Sequence, residues 1–355
     1  MSDLKRNIDM LITQRSKSIA EKIVDKQYEL QPAFWKPYGS EGRKISIRDA
    51  GYHLPFLTEA ILASDPQIFK DYVAWVKTLF HSLNFPDAVM IKTLECTREV
   101  LNNELPSDLA ALTARYIEYG IEQMNEEEVA NVSFINEAEN LGGLAKTYMN
   151  YLLQGNRAEA SKLILAEVQK GTSIKNIYLE VFQKSQYEIG RLWLTNQISI
   201  AQEHYCSAAS QMIISQLYPY IFSTGRNGHR FVAACIGGEL HEMGIRMVAD
   251  FFEMDGWDTY YLGANTPTSA IIKALRDYNA EVLGLSIAMP YHQSLLKDTI
   301  EAVRASEIGQ HLKIMIGGNA INPKNVSLSY FGADAFAPNA QKAVEVANSL
   351  IYPQN

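Results

Sequence analysis

Three short elements, each following an apolar, β-like run, set the terms for the last third of this 355-residue chain. They are Glu239-Leu240-His241-Glu242-Met243-Gly244, Ser286-Ile287-Ala288 and Gly317-Gly318, separated by gaps of 41 and 28 residues. The runs before them are HRFVAACIG, VLGLSIA and KIMIGG, and TYYLGA and ADAFAP complete a set of strand candidates with helical segments between. Such alternation predicts a doubly wound parallel sheet over residues 227–355. Ligands of these sheets sit beyond the carboxyl ends of the strands, where all three elements fall.

Upstream, the periodicity turns helical. Residues 131–226 read as a four-helix bundle. NLGGLAKTYMNYLLQG is its first helix, stopped by Gly155, and the second opens at Asn156 and ends near Gly171. The third runs from about Ser173 to Trp193, and the fourth opens at Ser199, where Gln202 completes a capping box. Residues 1–130 are mostly helical, as in FLTEAILA and IFKDYVAWVKTLFHSL. Pro32, Pro37, Gly39 and Gly42 predict an early loop, and Glu126-Glu127-Glu128 a solvated helix end or linker.

Composition narrows the function. A net charge of −8, with 15 Lys/Arg against 16 Asp/Glu in residues 1–120, argues against a nucleic-acid partner. No apolar run is long enough for a membrane span, and MSDLKRNIDM lacks a signal peptide's apolar stretch. Cys96, Cys206 and Cys235 are scattered, which points to a reducing, cytoplasmic setting and not to disulfides or zinc.

The three spaced elements resemble the cobalamin-binding domain of methionine synthase, corrinoid proteins and cobalamin mutases, a Rossmann-like fold. Its pattern is Asp-x-His-x-x-Gly, Ser-x-Leu and Gly-Gly; here Glu239 replaces Asp and Ala288 replaces Leu. The resemblance implies that His241 is the lower axial ligand to cobalt and that Ser286 contacts the nucleotide base of the tail. Glu239 is a candidate acceptor for the second ring N–H of His241. Gly244 would let the loop turn closely under the ring, and Gly317 and Gly318 would let the tail pass near the backbone. The alternative is a flavodoxin-like domain with an incidental surface histidine.

Trp193, nine residues and then Glu203-His204 resemble the bundle motif of the light-sensing adenosylcobalamin repressors. That resemblance implies that Trp193 shields the adenosyl group, that Glu203 bonds to it, and that His204 binds cobalt from above after photolysis. Those repressors begin with a DNA-binding domain, of which this chain shows no recognition-helix signature. Its segment Arg48-Asp49-Ala50-Gly51-Tyr52-His53-Leu54-Pro55-Phe56-Leu57, with DYVAWVKTLFHSL, resembles instead the N-terminal region of the photocobilins, proposed to bind biliverdin beside cobalamin. Arg48, with Arg43 and Lys44, would supply cations for the propionates, and His53, Tyr52 and His81 would face the pyrroles. Cys96 is a candidate anchor, although a buried thiol is the better reading.

The expectation is therefore a non-enzymatic photoreceptor holding adenosylcobalamin and biliverdin. Its output would be light-dependent association with itself or with an unidentified downstream partner. The competing expectation is a corrinoid methyl carrier that serves a separate methyltransferase, and a third is an adaptor with a vestigial site.

Overall fold

The computed structural model describes residues 2–127, 131–222, 225–321 and 328–352. The chain divides into two compact units, Met1–Ala130 with Leu194–Asn196, and Asn131–Trp193 with Gln197–Asn355.

The first unit is helical: α1 (Ser2–Leu30), α2 (Gly39–Ala63), α3 (Pro66–Ser82), α4 (Asp87–Glu104) and α5 (Ser107–Met124). On α1, Ile8, Ile12, Ile19 and Ile23 recur at helical spacing and are buried. The Asp65 side chain caps α3 by accepting from Gln67 N, and Pro66 occupies the first turn, where no N–H is needed. The expected loop around Pro32, Pro37 and Gly42 is instead folded into helical turns, Pro32–Trp35 and Lys36–Tyr38. Both prolines sit in first turns, so they start helix and do not break it. The break falls at Gly39, with φ of 58°, and Gly42 lies inside α2. Glu126 and Glu127 follow α5 as exposed coil, and Glu128 lies outside the described residues.

The second unit joins bundle and sheet. Its bundle contains α6 (Gly142–Leu153), α7 (Arg157–Gln169), α8 (Lys184–Leu194) and α9 (Ile200–Ser215). Gly155 and Gly171 follow the first two at positive φ, as stops require. The third expected helix is present but not uniform: Ile174–Asn176 leads into a π-helical stretch, Ile177–Gln183, before α8. Ser199 and Gln202 form both halves of the capping box of α9.

The sheet has strands β1 (Arg230–Ile236), β2 (Asp258–Thr266), β3 (Val282–Ser286), β4 (Lys313–Gly317) and β5 (Ala335–Phe336). All pair in parallel in the order β2-β1-β3-β4-β5. Helices α10 (Met243–Met254), α11 (Thr268–Asp277), α12 (Gln293–Ala305) and α13 (Ala340–Ile351) complete the doubly wound fold. Alternation along β1 divides the core. Phe231, Ala233 and Cys235 share one apolar cluster with α10, α13 and the bundle. Val232, Ala234 and Ile236 share another with α11 and α12. The bundle is thus held to one face of the sheet by a continuous core.

A buried polar contact joins the bundle to α10 within that core. Asp250 of α10 accepts from the Tyr178 hydroxyl of the π-helical stretch at 2.8 Å and is 6% exposed. Burial raises the Asp250 pKa from 3.8 to about 6, against the opposing pull of Tyr178 and Arg246. A raised acid pKa means that this group's contribution to stability is complete below 3.8 and is lost as pH rises through about 6. Asp250→Asn keeps an acceptor for Tyr178 without the charge. Urea denaturation should find it more stable than wild type at pH 8, by on the order of 2 kcal/mol, with the gap closing as the pH falls toward 4.

Candidate functional site

The site is built on the loop between β1 and α10. Glu239 lies on that loop, fully buried (0% exposed), beneath the end of the sheet. Its Oε1 accepts from the backbone N–H of His241 at 2.9 Å and from His241 Nδ1 at 2.6 Å. Its Oε2 accepts from the N–H groups of Ala288 and Met289, at 2.8 and 3.0 Å, and pairs with His292 Nδ1 at 3.1 Å. Burial alone would raise the Glu239 pKa, but the hydrogen bonds from His241, His292 and the backbone outweigh it and hold the carboxyl well below the usual range. Glu239 is therefore an ionised acceptor, so Nδ1 of His241 carries a proton, and whenever the ring is neutral its lone pair lies on Nε2. The His241 side chain is 61% exposed.

Two further anchors fix the loop. Asn265, at the end of β2 with φ of 49°, accepts from Gly238 N at 2.8 Å, and its own N–H donates to Glu239 O at 2.8 Å. Glu242 Oε2 accepts from the Tyr261 hydroxyl at 2.8 Å and from Ala264 N at 2.9 Å. The carboxylates of Glu239 and Glu242 are thus tied to different strands, while the His241 ring, held at Nδ1 by Glu239, stays exposed.

Ser286 ends β3, buried, with Cys235 of β1 and Gly317 of β4 as its register partners. Gly318 has φ of 98°, and a Cβ there would stand 2.1 Å from Ile287 O and 2.9 Å from Ser286 Oγ. The glycine is demanded first by the chain's own packing, and only then by anything passing over it. Gly244 differs from expectation. It lies in the first turn of α10 rather than in a tight loop, and a Cβ there would meet nothing within 4 Å. Its missing side chain leaves open space two residues past Glu242. Gln293 donates through Nε2 to Ala320 O at 2.8 Å, while its buried Oε1 has no partner among the described residues.

On the bundle side, Glu203 and His204 occupy the first turns of α9. His204 Nδ1 pairs with Glu203 Oε2 at 2.6 Å, and the ring is 72% exposed. The Ser207 hydroxyl donates to Glu203 Oε1 at 3.0 Å. The His241 pKa is raised, chiefly by its hydrogen bond to Glu239, with smaller help from the charges of Glu239 and Glu203. Glu203 is thereby close enough to His241 for its charge to be felt there. Trp193, half-buried, closes α8.

In the first unit, His53 is buried and its Nδ1 meets the Tyr72 hydroxyl at 2.7 Å; burial lowers its pKa to about 4. Tyr72 stacks on Phe56 at 3.7 Å. Arg48 is exposed and pairs with Asp49, Arg43 pairs with Asp25, and Lys44 with Glu41. His81 bonds Asp87 at 2.6 Å, Tyr52 is exposed, and burial pushes the Cys96 thiol up to about 11. The structure does not gather these residues around one point.

Residues 229–347 match the family described as B12 binding domain, and residues 144–218 match a second family with the same description. The chain is a B12-binding protein. Residues 5–124 match the family described as Phycobilisome protein. The chain is 25% identical over 165 residues to dimethylamine corrinoid protein 1 of Methanosarcina acetivorans, covering 46% of this chain and 75% of that one. It is 25% identical over 166 residues to dimethylamine corrinoid protein 3 of Methanosarcina mazei, covering 47% and 96%. The solved structure of the Methanosarcina barkeri monomethylamine corrinoid protein shares the fold: TM-score 0.53, 19% identity, 59% of this chain and 100% of that one.

The residues gathered around His241 suit such a group. Among the described residues no cluster of three or more His, Cys, Asp or Glu could hold a bare metal ion. A corrin brings its own equatorial nitrogens and asks the protein for one axial nitrogen, which His241 Nε2 can give. The open space at Gly244 leaves room for a large ligand beside the His241 loop.

The two glycines should behave oppositely. Gly318→Ala should cost the apoprotein roughly 2 kcal/mol from backbone strain and the clash with Ile287 O. Gly244→Leu should leave the apoprotein's melting temperature within a degree or two, yet weaken aquocobalamin binding. Thermal melts paired with a spectroscopic titration check both.

Proposed function

We propose that this B12-binding protein is a light sensor that uses adenosylcobalamin, with a bilin as second chromophore. Cobalamin supplies a cobalt–carbon bond that light can cleave or that can carry a methyl group. His241, oriented by Glu239, is its lower ligand in this reading, with Ser286, Gly317 and Gly318 along the tail. Trp193 and Glu203 cover the upper face, and His204, exposed beside Glu203, is the cap's own imidazole donor.

The relatives favour the other reading. Dimethylamine corrinoid proteins point to a corrinoid methyl carrier for a separate methyltransferase, and nothing in the geometry of His241 and Glu239 speaks against it. Those matches extend over 46% and 47% of the chain, however, and the two B12 binding domain matches begin at residue 144, which leaves residues 5–124 outside them. The observation that carries the light-sensing reading is the match of residues 5–124 to the Phycobilisome protein family, a name that contains the pigment class the sequence led us to expect. A methyl carrier leaves that domain without a task. His53 against the Tyr72–Phe56 stack is its polar group of interest for a bilin ring, and Arg48, Arg43 and Lys44, each now paired with an acidic side chain, are the cations considered for its propionates.

Adenosylcobalamin-loaded protein is expected to change its visible spectrum under green light, in a manner altered by His204→Ala. Protein reconstituted with biliverdin is expected to absorb in the red or far-red. Indifference to light, together with methylation of the bound corrinoid by a partner enzyme, would sink the sensor reading and establish the carrier.

A further inference from the structure

Glu203 is held by more than its own helix. On α9 its Oε1 lies 3.0 Å from the Ser207 hydroxyl, one turn on, and its Oε2 pairs with His204 Nδ1. The same Ser207 hydroxyl lies 3.0 Å from Oε1 of Gln186, on α8. Gln186 Nε2 lies 2.9 Å from the Ser210 hydroxyl, and Ser210 lies 2.8 Å from the Tyr148 hydroxyl of α6. These side chains from three helices form one hydrogen-bonded chain. It begins in the bundle core, where Tyr148 and Ser210 are both 0% exposed, and it ends on Glu203.

Counting hydrogens fixes its direction. Ser207 has one hydroxyl hydrogen and two acceptors within reach, Glu203 Oε1 and Gln186 Oε1. The carboxylate is the stronger acceptor. With the hydrogen given to Glu203, Gln186 Oε1 faces the Ser207 oxygen at 3.0 Å, lone pair against lone pair. A half-turn of the amide removes that conflict, because it exchanges Oε1 and Nε2 and leaves both contacts in place. Tyr148 then donates to Ser210, Ser210 to Gln186 Oε1, Gln186 Nε2 to Ser207, and Ser207 to Glu203. Each link has one donor and one acceptor, and bonds in series strengthen one another.

We propose that Gln186 is a positioning residue for Glu203: its amide donates to Ser207, which commits the Ser207 hydrogen to the carboxylate and aims it at the upper face of the corrin. The proposal rests on the reading of Glu203 as a contact of the adenosyl group and names the residue that sets its direction. Tyr148 gives the chain a fixed start. Its ring is packed edge-on against Phe182, with centroids 5.4 Å apart, and a hydroxyl buried among apolar side chains must spend its hydrogen on Ser210 or lose it unpaired.

The test uses the full chain and the affinities of each variant for adenosylcobalamin and for methylcobalamin, both measured in the dark. An upper methyl group offers no hydrogen-bond donor, so the placing of Glu203 shows in the ratio of the two affinities. Gln186→Met keeps the length of the side chain and removes the amide. It is expected to lower the adenosyl-to-methyl ratio about 3-fold to 10-fold, the worth of one hydrogen bond. Ser207→Ala is expected to lower it as far, and the double variant no further, because both break one chain. A Gln186→Met protein that loses affinity for both cobalamins alike has lost packing only, and the proposal is overturned. A ratio that rises in Gln186→Met overturns it too, since the amide would then be competing with Glu203 for the Ser207 hydrogen. If Gln186→Met does not fold, an unchanged ratio in Ser207→Ala overturns the chain. Glu203→Ala separates the two readings. A lowered ratio there with an unchanged one in Gln186→Met sinks the role of Gln186 alone, whereas a wild-type ratio in Glu203→Ala removes the adenosyl contact and the proposal with it.

Discussion

One buried carboxylate organises the B12-binding unit. Glu239 accepts five hydrogen bonds, from His241, Ala288, Met289 and His292. An ion so far from water is tolerated only because every direction around it is filled by a donor. In return it joins loops that are far apart in the chain and fixes which nitrogen of His241 carries a proton. Removing any one donor leaves the charge less compensated, so the site's geometry and the stability of the sheet's end are coupled.

The bundle depends on the same unit by a different force. Bundle helices and one face of the sheet share an apolar core, whose members include Tyr148, Phe182, Phe231 and Phe251. Tyr178 and Asp250 add a polar contact across it. The packing sets where α9, and hence Glu203 and His204, stand relative to His241. The π-helical stretch Ile177–Gln183 is where Tyr178 sits, and such stretches shift the register of side chains along a helix.

Much of this was legible in the sequence. Each expected strand is present, because a parallel sheet covered on both faces reads as short apolar runs. The Ser199–Gln202 capping box and the stops at Gly155 and Gly171 were visible because caps are local chemistry. His292, Asn265 and Gln293 were missed because their roles arise only when loops separated by tens of residues meet. The π-helical stretch left no signal, since a single extra residue per turn hardly disturbs an apolar pattern. Pro32 and Pro37 misled because a proline reads as a break until its position in the helical turn is known. Gly244 shows the same limit: the sequence gives the missing side chain but not the helix that bears it.

The sheet's margin carries a last consequence. β2 is an outer strand, and its pairing with β1 slips twice, between Ala233 and Ala234 and between Ala234 and Ile236. Gly263 and Asn265, both at positive φ, bend it away from a straight ribbon. The opposite margin, β5, is only the two residues Ala335 and Phe336. Neither border offers the long, regular row of unpaired amides and carbonyls on which another strand could add. Among the described residues, the two borders of the sheet therefore give little purchase for a further strand to add edge to edge.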